Sequence, residues 1–217
     1  MKPLILINFK TYKEASGNKS LALARQLARI KRKKYQIAVA PSLLTLKEIT
    51  KVNIPVYAQH TDLVGLGAHT GRVPAKELKD IGVKGTILNH SERKIPLKIL
   101  QEIIQNCKTN RLTTVVCAST ISEIKKIAQF NPDYIAYEPK ELIGGNISVT
   151  ESKPDIILEA VQTAHEVSKR IKVLVGAGIH SKEDIGQALL LGAEGVLIGH
   201  AVPKAKDPKK FLEGLLI

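Results

Sequence analysis

The sequence predicts an α/β fold, a closed (β/α)8 barrel in which residues 1–217 form one domain, and three observations lead there. Short apolar runs alternate with amphipathic stretches eight times, the pattern of parallel strands joined by helical crossovers. A chain of 217 residues accommodates eight such units without a linker. Hydrophobic residues make up 44% but aromatics only 4%, with no Trp, so Ile, Leu, Val and Ala must fill the interior. Buried parallel strands have that composition. An open doubly wound sheet is the competing arrangement, disfavoured because no GxGxxG follows the first run.

The eight predicted strands are Leu4–Phe9, Ile37–Pro41, Val56–His60, Gly85–Asn89, Thr113–Ala118, Tyr134–Glu138, Lys172–Gly176 and Gly195–Gly199. Between them, helical faces are marked by Leu23, Leu27 and Ile30 in the first unit. Ile99 with Ile103 and Leu100 with Ile104 mark the fourth, and Ile185 with Ala188 and Leu189 the seventh. Ser181 with Asp184 reads as a capping box, and Asp207 before Pro208 as a cap with a preset first turn. The stretch Thr61–Val73 is a long loop, of a length that points to function or disorder.

Cys107 and Cys117 have no metal-type spacing and read as buried thiols in a helix end and a strand. The formal charge is +13. Its densest cluster, RIKRKK at Arg29–Lys34, falls where the first helix should finish, a position the helix dipole favours for cations. No aromatic platform or binding motif accompanies it, so nucleic acid is not an expected partner. An anionic small substrate would be steered by the same field. The opening MKPLILINFK offers a run of just four apolar residues, Leu4–Ile7, before Asn8, and no run approaches about 18 apolar residues. A cytoplasmic, non-membrane protein is expected.

In such a barrel the chemistry gathers at the carboxyl ends of the strands. The polar residues there are Asn8 and Lys10, His60, the group His90, Ser91 and Glu92, then Glu138, Gly178 and His200. Glu138 stands in YIAYEPKELIGGN, ending an apolar run just before Pro139 and the Gly144–Gly145 pair. That is the pattern of a general base beneath a segment built to bend, although a strand-end acid before a surface loop looks the same. Glu138 as base, His90 as electrophile and Lys10 as cation are the three chemistries that enolate formation needs. A metal-dependent hydrolase using His60, His90 and His200 is a further reading, but the short two-histidine signature is missing.

The motifs NFK (Asn8–Lys10), NHSER (Asn89–Arg93), AYEP (Ala136–Pro139) followed by LIG, and GAG (Gly176–Gly178) resemble those of triosephosphate isomerases. YAQH (Tyr57–His60) and HTG (His69–Gly71) are similar to the short archaeal branch of that family. The resemblance spans nearly the whole chain and implies a TIM barrel that interconverts glyceraldehyde 3-phosphate and dihydroxyacetone phosphate in glycolysis and gluconeogenesis, with no cofactor and no metal. It assigns Glu138 as proton acceptor, His90 as electrophile, Lys10 as countercharge and Asn8 as an orienting group, with Glu92 beside the site. It also makes 139–146 a lid that brings Ile143 and the Gly144 amide to the substrate phosphate. Backbone amides near Gly178, Gly199 and His200 then form the fixed phosphate site. The HTG loop would insert into a second subunit, with Thr70 bracing that subunit's Asn8 and Lys10, in a homotetramer or homodimer. Three departures touch substrate binding: Lys140 replaces a proline, Gly144–Asn146 replace Gly-Thr-Gly, and His200 replaces glycine or serine. The closing quarter also resembles phosphate-binding barrels such as indole-glycerol-phosphate synthase, so a sugar-phosphate-binding barrel without isomerase turnover is the alternative.

Overall fold

The computed structural model describes residues 2–30, 33–139 and 154–216. Eight strands alternate with helices. They are β1 (Leu4–Asn8), β2 (Gln36–Ala40), β3 (Tyr57–Ala58), β4 (Gly85–Leu88), β5 (Thr113–Ala118), β6 (Tyr134–Tyr137), β7 (Lys172–Val175) and β8 (Gly195–Ile198). The described helices are α1 (Asn18–Ala28), α2 (Leu46–Ile49, after a 3-10 turn at Leu43–Thr45), α3 (Ala75–Asp80), α4 (Leu97–Thr109), α5 (Ile121–Ala128), α6 (Pro154–Val167), α7 (Lys182–Leu190) and α8 (Pro208–Leu215). The sheet order is β2-β1-β8-β7-β6-β5-β4-β3, parallel throughout. A parallel bridge between Val39 and Val56 brings its two edges together. This is the predicted (β/α)8 TIM barrel.

Alternation along each strand divides the core in two. Leu4, Leu6, Ala38, Ala40, Tyr57, Ile87, Val115, Cys117, Tyr134, Ala136, Leu174 and Leu197 fill the barrel interior. The alternate residues, among them Ile5, Ile7, Val39, Val116, Ile135 and Val173, pack outward against Leu23, Leu27, Leu100, Ile104, Ile157 and Ile185 of the helices. Period-two alternation therefore sets which strand-end residues look into the barrel mouth. Continuing the inward series gives Asn8, Gln59, Asn89, Ser119, Glu138, Gly176 and Gly199.

Several boundaries differ from expectation. The third strand is only Tyr57–Ala58 rather than Val56–His60, because the chain leaves the ladder at Gln59, whose amide donates instead to Ala40 O (2.9 Å) and Lys10 O (3.1 Å). The fourth strand ends at Leu88, since Asn89 takes a left-handed backbone (φ 56°) and its side chain bonds Cys117 O and the Ile95 N–H instead. Ile99 is exposed: the buried face of α4 is Leu100, Ile103, Ile104 and Cys107, and Ile99 is turned about a quarter of a revolution from the centre of that face. The Ser181–Asp184 capping box is present, and Asp207 accepts from the Lys210 N–H ahead of Pro208. Both cysteines are free and buried. Helix α1 stops at Ala28, before the basic cluster, of which Lys31 and Arg32 lie outside the described residues. Among the described residues no helix is long and apolar enough to cross a membrane.

Candidate active site

The inward register places Asn8 and Glu138 at the mouth of the barrel, where β1 and β6 end. Both are buried, at 5% exposure each. Glu138 is held by its backbone N–H, which donates to Ala118 O of β5 at 2.8 Å. Asn8 Oδ1 accepts from the Lys10 N–H at 3.0 Å, stabilising a left-handed Lys10 (φ 46°). Non-glycine residues pay steric strain there, and such strain concentrates at functional sites. Lys10 and Asn89 both show it, at the ends of β1 and β4. The Asn89 turn presents His90.

Four predicted residues meet through direct contacts. Lys10 Nζ lies 2.8 Å from Glu92 Oε1, and His90 Nε2 lies 3.7 Å from Glu138 Oε1. The backbone N–H of Glu92 donates to His90 Nδ1 at 3.2 Å. An Nδ1 that accepts carries no proton, so neutral His90 bears its hydrogen on Nε2, facing the Glu138 carboxyl group. Burial, and then the charge of Lys10, hold the His90 imidazolium well below its ordinary range. His90 is therefore a neutral donor.

Glu138 experiences the opposite perturbation. Burial lifts its carboxyl group to about 7, against the opposing pull of the Cys117 thiol, Lys10 and Lys94. Its Oε2 is buried and has no hydrogen-bond partner among the described residues. A buried carboxylate oxygen without a donor is a poorly solvated, strongly basic acceptor. Lys10 loses some basicity to burial, but its hydrogen bond to Glu92 and that group's charge outweigh the loss and raise it overall.

Asn8, Lys10, His90 and Glu138 line one cleft of about 570 Å³, part of it open to solvent, together with Gly178, Gly199 and His200 from the ends of β7 and β8. Seven predicted site residues thus share a cavity. Gly178 is left-handed (φ 66°), a backbone shape suited to turning amides toward an anion. Glu92 is mostly exposed and reaches the site through Lys10. Thr70 is exposed in the Thr61–Val73 loop, away from its own chain's cleft. Ile143 and Gly144, with Lys140, Gly145 and Asn146 of the predicted lid, lie outside the described residues.

His60 does not join this cleft. It is buried with Nε2 3.3 Å from Asp62 Oδ1, and Asp62 also accepts from the Val73 N–H (2.8 Å) and from Arg72 (3.1 Å). This cluster ties down the base of the long loop. Among the described residues no group of three or more His, Cys, Asp or Glu side chains is placed to hold a metal ion.

Sequence reasoning missed four participants. Gly176 makes room for the base, since a Cβ there would collide with Glu138 Cγ. Cys117 stands against the Glu138 carboxyl group and favours its ionised form. Gln59 braces the Lys10 carbonyl. His180 lines the cleft beside His200. The signal for the first three was strand parity: each continues or belongs to an inward-facing series. His180 follows Gly178 by two residues in a loop and carried no such mark.

A family model described as triosephosphate isomerase matches residues 3–215. Triosephosphate isomerase of Methanocaldococcus jannaschii is 44% identical over 215 residues, covering 98% of both chains. The enzyme of Archaeoglobus fulgidus is 42% identical over 98% of this chain and 96% of its own. That of Methanothermus fervidus is 39% identical over 99% and 98%. The similarity covers the front of the barrel as well as the closing quarter, and so it does not favour a barrel likened to indole-glycerol-phosphate synthase by its last strands alone. The chain belongs to the triosephosphate isomerase family.

Proposed function

We propose that this protein interconverts D-glyceraldehyde 3-phosphate and dihydroxyacetone phosphate, as an aldose-ketose isomerase. The observation that carries the reading is the pairing of a neutral Nε2–H on His90 with the buried carboxyl group of Glu138, 3.7 Å away, at the mouth of a cleft walled by glycine turns. A carbon-bound proton next to a carbonyl is removed only if a base reaches it while the oxygen is stabilised. Glu138 takes the proton from C1 of the ketose. His90 Nε2–H donates to the carbonyl oxygen, whose charge grows as the enediolate forms. Passing the hydroxyl proton from the C1 oxygen to the C2 oxygen and returning the carbon-bound proton to C2 yields the aldose. Lys10 offsets the negative charge of substrate and enediolate, Asn8 fixes Lys10 through its backbone, and Glu92 restrains the ammonium group. Backbone amides near Gly178 and Gly199, with His200, receive the phosphate. No cofactor or metal enters this scheme.

In the same reading the segment after Pro139 closes over the phosphate through Ile143 and the Gly144 amide. The protein is cytoplasmic and works as a homo-oligomer, a tetramer or dimer, with Thr70 reaching Asn8 and Lys10 of a second subunit. The exposed Leu44 (95%) beside Lys10, His60 and Arg93 supports a covering partner on that face.

The test is Glu138→Gln, which preserves shape but cannot accept the proton. Turnover should fall by about 100- to 10,000-fold with folding retained. A loss below tenfold would reject Glu138 as the base.

A further inference from the structure

Beyond the residues that handle the carbon-bound proton, the cleft holds two histidines at its phosphate end. His180, from the β7–α7 loop, and His200, from the end of β8, lie with ring centroids 6.2 Å apart and planes tilted by 55°. Both line the cleft, next to Gly178, Gly199 and Ala201. His180 Nε2 is buried and has no hydrogen-bond partner among the described residues. An unsatisfied ring nitrogen beside a second imidazole, in a cavity edged by glycine turns, is a donor-acceptor pair lacking its third member.

The third member can be identified by charge. The charged and titratable groups around the pair are Lys204, beyond β8, and Lys10, Tyr12, His90 and Glu138, which line the same cleft. Lys204 is itself drawn to Tyr12, its ammonium 4.6 Å from the ring centroid. Asp184, from α7, is committed to the backbone N–H groups of His180 and Ser181. In the empty cleft, burial and then the nearby His180, Lys204 and Lys10 lower the affinity of His200 for a proton. A tetrahedral dianion between the rings reverses that balance. At ordinary charge-assisted distances of about 2.8 Å, one anion oxygen or two neighbouring ones can accept from both rings across this separation.

We propose that His180 and His200 form a proton-accepting pair that takes one proton from solvent when the substrate's phosphate dianion binds, and so grips that dianion through a charged hydrogen bond. The inference rests on the reading that the phosphate occupies the Gly178–Gly199 end, and it adds a recognition residue, His180, and a proton to that reading. The linkage has a definite sign. Because the bound anion favours the protonated pair, the extra affinity is fully present below the pair's titration in the empty cleft and is lost as pH rises through its titration in the complex.

Sulfate is the probe, since it remains a dianion from pH 5.5 to 8.5. The Cε1–H signals of His180 and His200, assigned with His180→Asn and His200→Asn, are titrated with and without saturating sulfate. At least one midpoint should rise by about one pH unit or more. Over the same range, sulfate affinity measured by calorimetry should weaken about tenfold more in the wild-type protein than in the double variant. Glu138 titrates in both proteins, so the difference isolates the pair. Midpoints unmoved by sulfate, or matching pH profiles in wild type and double variant, overturn the proposal. Isomerase turnover on the same samples keeps the two readings apart. Shifted histidines without turnover leave the pair standing and reject the isomerase, whereas turnover without shifts rejects the pair alone.

Discussion

Gly176 at the end of β7 backs directly onto Glu138: a methyl group on its Cα would overlap Glu138 Cγ and lie 3.1 Å from Cδ and 3.2 Å from Oε1. Only a residue without Cβ leaves the base in place. Gly176→Ala should therefore displace Glu138 while leaving Lys10 and His90 where they are. Since misplacement by about 1 Å costs roughly 100-fold in rate, kcat should fall by that order with a smaller change in KM. A variant within threefold of wild type in kcat would show that the Glu138 side chain has slack.

Burial makes the ionised Glu138 costly to the fold. Its folded-state pKa of about 7 lies above the ordinary 4.5, so its favourable contribution is complete below 4.5 and is lost as pH rises through 7. The full shift corresponds to about 3 kcal/mol. Glu138→Gln removes this dependence, so the variant should gain stability over wild type between pH 5 and 8, by up to a few kcal/mol. Urea denaturation at both ends of that range measures it. Equal gains at pH 4.5 and pH 8 would contradict the burial argument.

The same carboxyl group sets the pH-rate profile. As a base it must be ionised, so kcat/KM should fall tenfold per unit below about pH 7. His90 adds no limb there, being neutral already. Lys10 holds the Glu138 carboxyl group down, so Lys10→Met should move the acid limb upward as well as weaken substrate binding. An unmoved limb in Lys10→Met would remove the electrostatic link between the two.

The exposed loop carrying Thr70 is predicted to complete a second subunit's site. Thr70→Arg should reduce assembly and turnover together, as read by sedimentation and steady-state assay. An active wild-type monomer would defeat this.

The eightfold alternation was legible because buried parallel strands have few polar residues to blur them. Strand β3 was overcalled because YAQH continues an apolar run whose last two side chains are used elsewhere, Gln59 across the barrel and His60 against Asp62. Lys10, His90 and Glu138 were legible as strand-end polar residues. Their states were not: the His90 tautomer depends on one backbone N–H from Glu92, and the raised Glu138 carboxyl group depends on burial. Neither has a signature in residue type. Partnerships between loops, such as His180 with His200, arise from two turns twenty residues apart and have no periodicity to reveal them.

The cylinder has a seam. Between β2 and β3 the described ladder shrinks to the Val39–Val56 bridge, and β3 itself pairs with β4 through only two residues. Gln59 acts as a clasp over that seam, fastening the end of β2 and the Lys10 carbonyl with one side-chain amide. Partial opening begins where the fewest backbone hydrogen bonds must break. The molecule would thus come undone at the edge where Gln59 holds the Lys10 carbonyl, while β6, β7 and β8, which carry Glu138 and the glycine turns of the phosphate end, lie farther round the barrel. A slightly loosened protein would lose the placement of its Lys10 cation before that of its base.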